Sequence, residues 1–166
     1  MMFQFKTATL ADIPLIRELT MKVWPQTYRP IIGESQIEYM LEMMYSEASL
    51  TEQMTSKACE FVLVNDTERS LGFASFSYQE GSVYRLHKLY VITDAQGSGA
   101  GKALIHEIAK RVLEKNGNCI ELNVNRHNSA VDFYKKIGFS IYGEEDIHIG
   151  NDFYMNDFVM RWNLDY

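Results

Sequence analysis

The stretch "VITDAQGSGAGKAL", residues 91–104, sets Gly97, Gly99 and Gly101 close together, directly after an apolar run. Glycines let backbone approach a ligand with no Cβ in the way. Successive N–H groups, backed by the N-terminus of a following helix, then attract an anion. The chemistry this loop suggests is therefore phosphate binding. Two common phosphate loops fail on spacing. The NTPase loop needs four residues between its first glycine and Gly-Lys-Ser/Thr. Here three separate Gly97 from Gly101, and Ala103 stands where the magnesium-holding hydroxyl belongs. The dinucleotide fingerprint needs its third glycine at the position of Lys102, and it opens a parallel βαβ unit, whereas several strands precede this loop. What remains is Gln96-Gly97-Ser98-Gly99-Ala100-Gly101, with Lys102 adding charge or only solvating the first helical turn.

The elements that must position this loop are legible from periodicity. "FQFKT" alternates as a half-buried strand. Thr9 and Asp12 mark a helix start, and Ile13, Ile16, Leu19 and Val23 keep helical spacing until "WPQTY". A second helix follows Ser35, and a third helical piece spans Leu50 to Lys57. "EFVLVN", "LGFASFSY" and "SVYRLHKLYVI" read as a three-stranded meander. After the glycine loop a helix carries Leu104, Ile105, Ile108 and Val112 and ends at Asn116-Gly117. "CIELNVN" is a strand, "NSAVDFYKKIGF" a short helix, and two strands flank a turn at Gly150-Asn151-Asp152. The expected order is βαα(α)βββαβαββ: an α/β protein with a mixed, mostly antiparallel central sheet and helices on both faces. Residues 1–166 contain no linker, repeat or low-complexity tract, so one domain is expected.

The glycine pattern resembles the pyrophosphate-binding motif of the GNAT N-acetyltransferase superfamily: Gln, two residues, Gly, one residue, Gly. A second signature follows in "NVNRHNSAVDFYKKIGF", with Asn128, Ala130, Phe133, Tyr134, Gly138 and Phe139 at the family's spacing. The strand before the loop ends "KLYVI", as the family's cofactor strand does. The resemblance spans essentially the whole chain. It implies a GNAT fold, acetyl-CoA as co-substrate, and a cofactor strand that splays from its neighbour so that Leu89, Tyr90 and Val91 pair with the pantetheine arm. It further implies that Gln96 to Lys102 grip the pyrophosphate, with Asp94 and Gln96 beginning the turn. Asn123, Asn128, Ala130, Phe133, Tyr134 and Lys136 are the expected remaining cofactor contacts. A narrower likeness, to the branch containing bacterial polyamine acetyltransferases, rests on "VWPQTYRP" and "FYMNDFVM".

The chemistry follows from that reading. A lysine-like amine has a pKa near ~10.4 and is mostly protonated at neutral pH, so a base must take its proton. Coenzyme A leaves as a thiolate whose conjugate acid has a pKa near ~8.5. Tyr134 stands at the family's general-acid position for that thiolate, or merely lines the cofactor. His87, expected to share a strand face with Leu89 and Val91, is the leading base, where many relatives carry Glu; the alternative is a hydrogen-bonded core histidine. Glu121 is the second candidate base. Trp24, Tyr28 and Tyr154 either wall an acceptor pocket or anchor a turn. No cysteine belongs to a nucleophile motif, so direct attack in a ternary complex is expected. The same fold could instead bind acyl-CoA as a sensor without turnover, or acetylate a protein or peptide.

Bulk properties bound the partners. A net charge of −6 lacks the basic stripe that nucleic-acid binding needs. No apolar run reaches the ~20 residues of a membrane span, and the N-terminus lacks a signal-peptide pattern, so a cytoplasmic location is expected. Cys59 and Cys119 form no metal-spaced pair, and no metal is expected. Glu144, Glu145, Asp146, Asp152, Asp157 and Asp165 stand against Arg161 beyond Ile141. They are either a solvated strand face or a field that draws a cationic substrate. A small-molecule amine is the expected partner, and the resemblance allows a homodimer through the last strands.

Overall fold

The computed structural model describes residues 2–164. Its strands form one sheet in the order β1-β2-β3-β4-β5-β7-β6. These are β1 (Gln4–Thr7), β2 (Glu60–Asn65), β3 (Ser70–Glu80), β4 (Val83–Val91), β5 (Cys119–Asn125), β6 (Ser140–Gly150) and β7 (Phe153–Asn163). Every neighbouring pair is antiparallel except β4 and β5, which run parallel. The helices are α1 (Ile13–Tyr28), α2 (Glu34–Tyr45), α3 (Glu47–Met54), α4 (Ala100–Glu114) and α5 (Ala130–Ile137). The expected order and class hold throughout. Asp165, one of the six C-terminal acids, lies outside the described residues.

Burial explains the layers. Phe61, Val62, Leu63 and Val64 of β2 are all buried, which requires cover on both faces. On one face Tyr90 lies 6.1 Å from the ring of Trp24 in α1. On the other, its neighbour Val91 sits against Gly101 of α4. Helix α4 buries Leu104, Ile105, Ile108 and Val112. At roughly 1.5–3 kcal/mol for each fully buried side chain, this stripe firmly seats the helix that follows the glycine loop.

Helices α1 and α3 depart from expectation, α3 covering Glu47–Met54 and not Leu50 to Lys57, while the β6–β7 turn falls where it was expected. Helix α1 begins after a short 3₁₀ turn at Leu10–Asp12, in which Asp12 Oδ2 accepts from the Thr9 N–H at 2.8 Å. It then runs through Pro25 instead of stopping at "WPQTY". Proline removes the N–H that would reach the carbonyl of Met21, but Met21 is exposed to solvent. Stacking of Trp24 on Tyr28, one turn on, at 4.2 Å between ring centroids holds the last turn in place. The β6–β7 hairpin turns through Asn151 and Asp152, both at positive φ, which these residue types tolerate.

Candidate active site

The site opens where the parallel pair parts. β4 and β5 stay in register from Val83↔Cys119 to Leu86↔Leu122, and no pairing continues beyond Leu86. Two cavities meet at that parting, and Leu89, Tyr90, Asn128 and Ala130 line both.

The larger, a cleft of about 980 Å³, is walled by the glycine loop, the start of α4, the start of α5 and the C-terminal half of α1. Gly97 and Gly99 adopt φ of +84° and +91°, and a Cβ at Gly97 would meet nothing within 4 Å. The N–H groups of Ser98 and Ala103 are taken by Ala95 O and Gly99 O. Those of Gly97, Gly99, Gly101 and Lys102 find no acceptor among the described residues. Open backbone donors at a helix N-terminus, with bare Cα positions beside them, suit a pyrophosphate. Gln96, Gly97, Gly99, Gly101, Lys102, Phe133 and Val91, all among the expected cofactor residues, line this cleft.

Some expected cofactor residues stand elsewhere. Ser98 Oγ turns inward to Ala95 O at 2.5 Å, closing the loop on itself, and Ala100 is buried. Lys136 is exposed in the last turn of α5 and lines neither cavity. The carbonyl of Val91 accepts from Gln96 Nε2 at 3.1 Å, which engages one of its two lone pairs. Asn123 lines the other cavity, where Arg85 donates to its Oδ1 and its Nδ2 donates to Glu145 and Asp157, each at 3.3 Å. Asn128 does align the second motif: its Oδ1 accepts from the Ala130 N–H at 2.9 Å, at the start of α5.

The smaller cavity, about 110 Å³, brings together Trp24, Tyr28, Tyr90, Tyr134 and Tyr154 from α1, β4, α5 and β7. The three residues expected to wall an acceptor pocket thus share one chamber. Tyr134 opens here and not into the glycine cleft, while its neighbour Phe133 faces the cleft. Burial, reinforced by Tyr28, holds the Tyr134 phenol well above its ordinary range, so it stays protonated. Tyr28 and Tyr90 share a hydrogen bond at 3.1 Å between their hydroxyls.

His87 sits on this chamber's wall, on a different face from the one its spacing implied. Ser75 pairs with Lys88 and Phe76 with Leu86, which leaves His87 as the extra residue of a β-bulge. The bulge breaks the alternation with Leu89 and Val91. His87 Nε2 instead meets Ser77 Oγ at 2.7 Å. The ring keeps an exposed edge, yet the surrounding protein desolvates it and Lys88, Arg85 and Lys57 disfavour its protonation, bringing its pKa down to about 4. The three cations alone fix that direction. Glu121 is removed from the chamber altogether. Arg161 Nε holds it at 2.7 Å, Arg85 at 3.0 Å and Gln79 at 3.1 Å. Those partners outweigh its burial and keep it ionised.

Two chamber residues escaped the sequence reading. Lys88 is buried, donating to Gln53 Oε1 at 2.8 Å and lying over the Tyr45 ring at 5.1 Å; desolvation lowers its pKa to about 8. Asp157 of β7 is 1% exposed and lines the chamber. The available signal for Asp157 was its alternation with Met155 and Val159, which puts an acid on the inward face of a strand.

The sequence profile of the acetyltransferase (GNAT) domain matches residues 28–155. The chain belongs to the GNAT acetyltransferase family. It is similar to an uncharacterized N-acetyltransferase of Mycobacterium tuberculosis, with 25% identity over 91% of this chain and 97% of that one. It is also 29% identical to the uncharacterized N-acetyltransferase YuaI of Bacillus subtilis, over 89% of this chain and 86% of that one. Among solved structures, the PaiA N-acetyltransferase of Thermoplasma acidophilum in complex with coenzyme A superposes with a TM-score of 0.82 at 25% identity, covering 98% of this chain and 99% of that one. Among the described residues this GNAT chain has no helix long and apolar enough to cross a membrane and no cluster of three or more metal-ligating side chains.

Proposed function

We propose that this GNAT protein transfers the acetyl group of acetyl-CoA to the primary amine of a small molecule, by direct attack in a ternary complex. The observation that carries this reading is the meeting of the two cavities at the β4–β5 parting. A pyrophosphate on the glycine loop lets the pantetheine arm run along Leu89 and Tyr90, whose edge toward β5 is unpaired. The thioester then arrives at the shared wall, within reach of an amine in the aromatic chamber. Holding both reactants there makes the attack effectively unimolecular. Backbone N–H groups near Leu89 and Val91 stabilise the oxyanion. Tyr134, kept protonated by burial, donates to the departing thiolate.

The narrower reading, a polyamine acceptor, draws on the likeness of "VWPQTYRP" and "FYMNDFVM", with the acidic C-terminal third as secondary support. Arg126 pairs with both Glu144 and Asp146, which reduces the free field these acids offer a polycation. A small primary amine is therefore the acceptor class proposed. The experiment is thiol release from acetyl-CoA against a panel of monoamines, polyamines, amino acids and a lysine peptide. Saturable release with one member supports the transferase. Tight acetyl-CoA binding without release from any member supports an acyl-CoA sensor instead.

A further inference from the structure

We propose that Asp157 receives the acceptor's ammonium and takes its proton, and that the chamber around it admits amines carrying a single cationic centre. This rests on the transferase reading above. Three observations converge on it.

Asp157 is the one carboxylate on the chamber wall among the described residues. It comes from β7 at the level where β5 has already left β4, opposite Asn125 and Glu145. An ammonium entering between the aromatic rings meets it in the chamber that Tyr134 also lines.

Asp157 also forms no ion pair among the described residues, nor does Glu145 beside it, and Arg85 and Arg126 act on it only from farther off, whereas other nearby acids are directly paired. Glu121 pairs with Arg85 and Arg161, and Glu144 and Asp146 pair with Arg126. Asp157 accepts one hydrogen bond, from Asn123 Nδ2 to Oδ2. A buried carboxylate is costly unless it is paired. A bound ammonium supplies the missing partner, and the rings of Trp24, Tyr28, Tyr90, Tyr134 and Tyr154 favour the same charge.

Apart from Asp157, the chamber wall holds no second carboxylate among the described residues for another ammonium. Lys88 is a buried cation on its wall and forms no ion pair among the described residues. His87 faces the same space, with Arg85 behind it. A volume of about 110 Å³ keeps any second charge close to these groups.

The groups facing Asp157 are Glu145 from β6, Asn123 from β5, Arg85 from β4, Arg126 from the β5–α5 connection and Tyr28 from α1. Burial raises its pKa, Glu145 adds to that, and Asn123, Arg85 and Arg126 oppose it. A carboxylate shifted upward is better matched to proton uptake near neutral pH.

In the reaction, the ammonium gives one proton to Asp157. The freed lone pair forms the N–C bond to the thioester carbonyl, and the C–S bond breaks. Tyr134 protonates the thiolate and recovers the second proton from nitrogen. The Asp157 proton passes to solvent, so amide, thiol and one proton are the products.

The test compares wild type with Asp157→Asn, using n-butylamine and phenethylamine against putrescine and spermidine, with acetyl-CoA binding measured alongside. Wild type should favour the monoamines in kcat/KM at pH 7.5 by about tenfold. The Asn variant should lose about a hundredfold in kcat/KM with the monoamines, within the range for a lost acid–base group. Its acetyl-CoA affinity should change less than twofold. The loss should shrink near pH 10, where more of the amine is neutral and needs neither the ion pair nor the base. A loss that is the same at every pH would mean that Asp157 only supports the fold. Asp157→Ser repeats the test if the Asn variant no longer binds acetyl-CoA. Release that survives both substitutions overturns the role of Asp157 alone. Preference for spermidine over the monoamines overturns the single-cation chamber. No release from wild type with any amine, despite acetyl-CoA binding, overturns the transferase reading and this one with it.

Discussion

The glycine cleft and the aromatic chamber share four wall residues but are built in opposite ways. The cleft's distinctive surface comes from one continuous loop, Gln96 to Lys102, whose open N–H groups follow from its own backbone conformation. The chamber is assembled from α1, α2, β4, β5, α5 and β7, and its charged groups, Lys88 and Asp157, come from strands far apart in sequence. Local construction makes the first half of the site a transferable device. Dispersed construction makes the second half particular to this chain. On the proposed reading, the difference teaches where specificity resides: the cleft recognises phosphates through its backbone, while the chamber selects the amine.

The largest effect should come from breaking the cleft's local logic. Gly101→Glu puts a carboxylate where a Cβ would already lie 3.4 Å from the Phe133 ring, at the helix end expected to attract phosphate. Steric displacement and like-charge repulsion together cost several kcal/mol. Acetyl-CoA affinity should fall by at least about a hundredfold, as read by titration calorimetry. Melting temperature should fall only modestly, because Gly101 lies in the first turn of α4 against the Phe133 and Val91 side chains, and affinity is compared where the variant is folded. A variant that binds acetyl-CoA normally would detach the loop from cofactor binding.

Next is the residue at the boundary. Tyr134→Phe keeps the ring that packs against Phe133 and Phe139 and removes only the hydroxyl. Turnover should drop by about a hundredfold, with acetyl-CoA affinity within a few-fold of wild type. Equal losses in both would move Tyr134 from the chemistry to the cofactor's wall.

The contrast also governs what could be read without coordinates. Glycine spacing, the alternation of "CIELNVN" and the stripe on α4 encode local conformation, so the element order and the cleft's loop were legible in advance. Leu89, Gln96 and Phe133 were placed by motif and lie on the cleft. What motif and spacing did not reach has tertiary causes. Asn123 belongs to the chamber because β5 diverges from β4 one residue before it. His87 changes face through a bulge that no residue type announces. Pro25 failed to end α1 because Trp24 and Tyr28 stack across the last turn. Asp157 and Lys88 carried only the faint signal of a charge inside an apolar strand pattern, and what makes each notable is the partner it lacks.

The chamber's buried cation gives a smaller effect, on stability. Lys88 has a folded-state pKa of about 8 against 10.5 for the exposed side chain. Below pH 8 the ammonium is charged in both states, and folding carries the full cost of burying it. Between pH 8 and 10.5 the folded form gives up its proton more readily than the unfolded chain, so stability rises with pH and the cost fades. Lys88→Met, similar in length and uncharged, should stabilise the protein at pH 7 by roughly 1–3 kcal/mol in urea unfolding. The gain should dwindle toward pH 10.5. A destabilised variant at pH 7 would mean that the bond to Gln53 and the Tyr45 ring more than offset the burial.

The smallest effect should come from His87, which the sequence reading placed first among the candidate bases. If His87 were the base, replacing it would remove the limb of the pH–rate profile near pH 6.5, the ordinary histidine pKa. With Nε2 engaged with Ser77 Oγ and the cations Lys88, Arg85 and Lys57 acting on it, the ring sits where an approaching ammonium is repelled. His87→Gln keeps a side-chain amide beside Ser77 Oγ. It should reduce kcat less than about fivefold, far below the range for a lost general base. The shape of the profile between pH 6 and 8 should be retained. A collapse in kcat together with a missing limb near pH 6.5 would restore His87 as the base and return Asp157 to an ammonium-binding role alone, with the proton then leaving along β4 toward Ser77 instead of across the chamber toward β7.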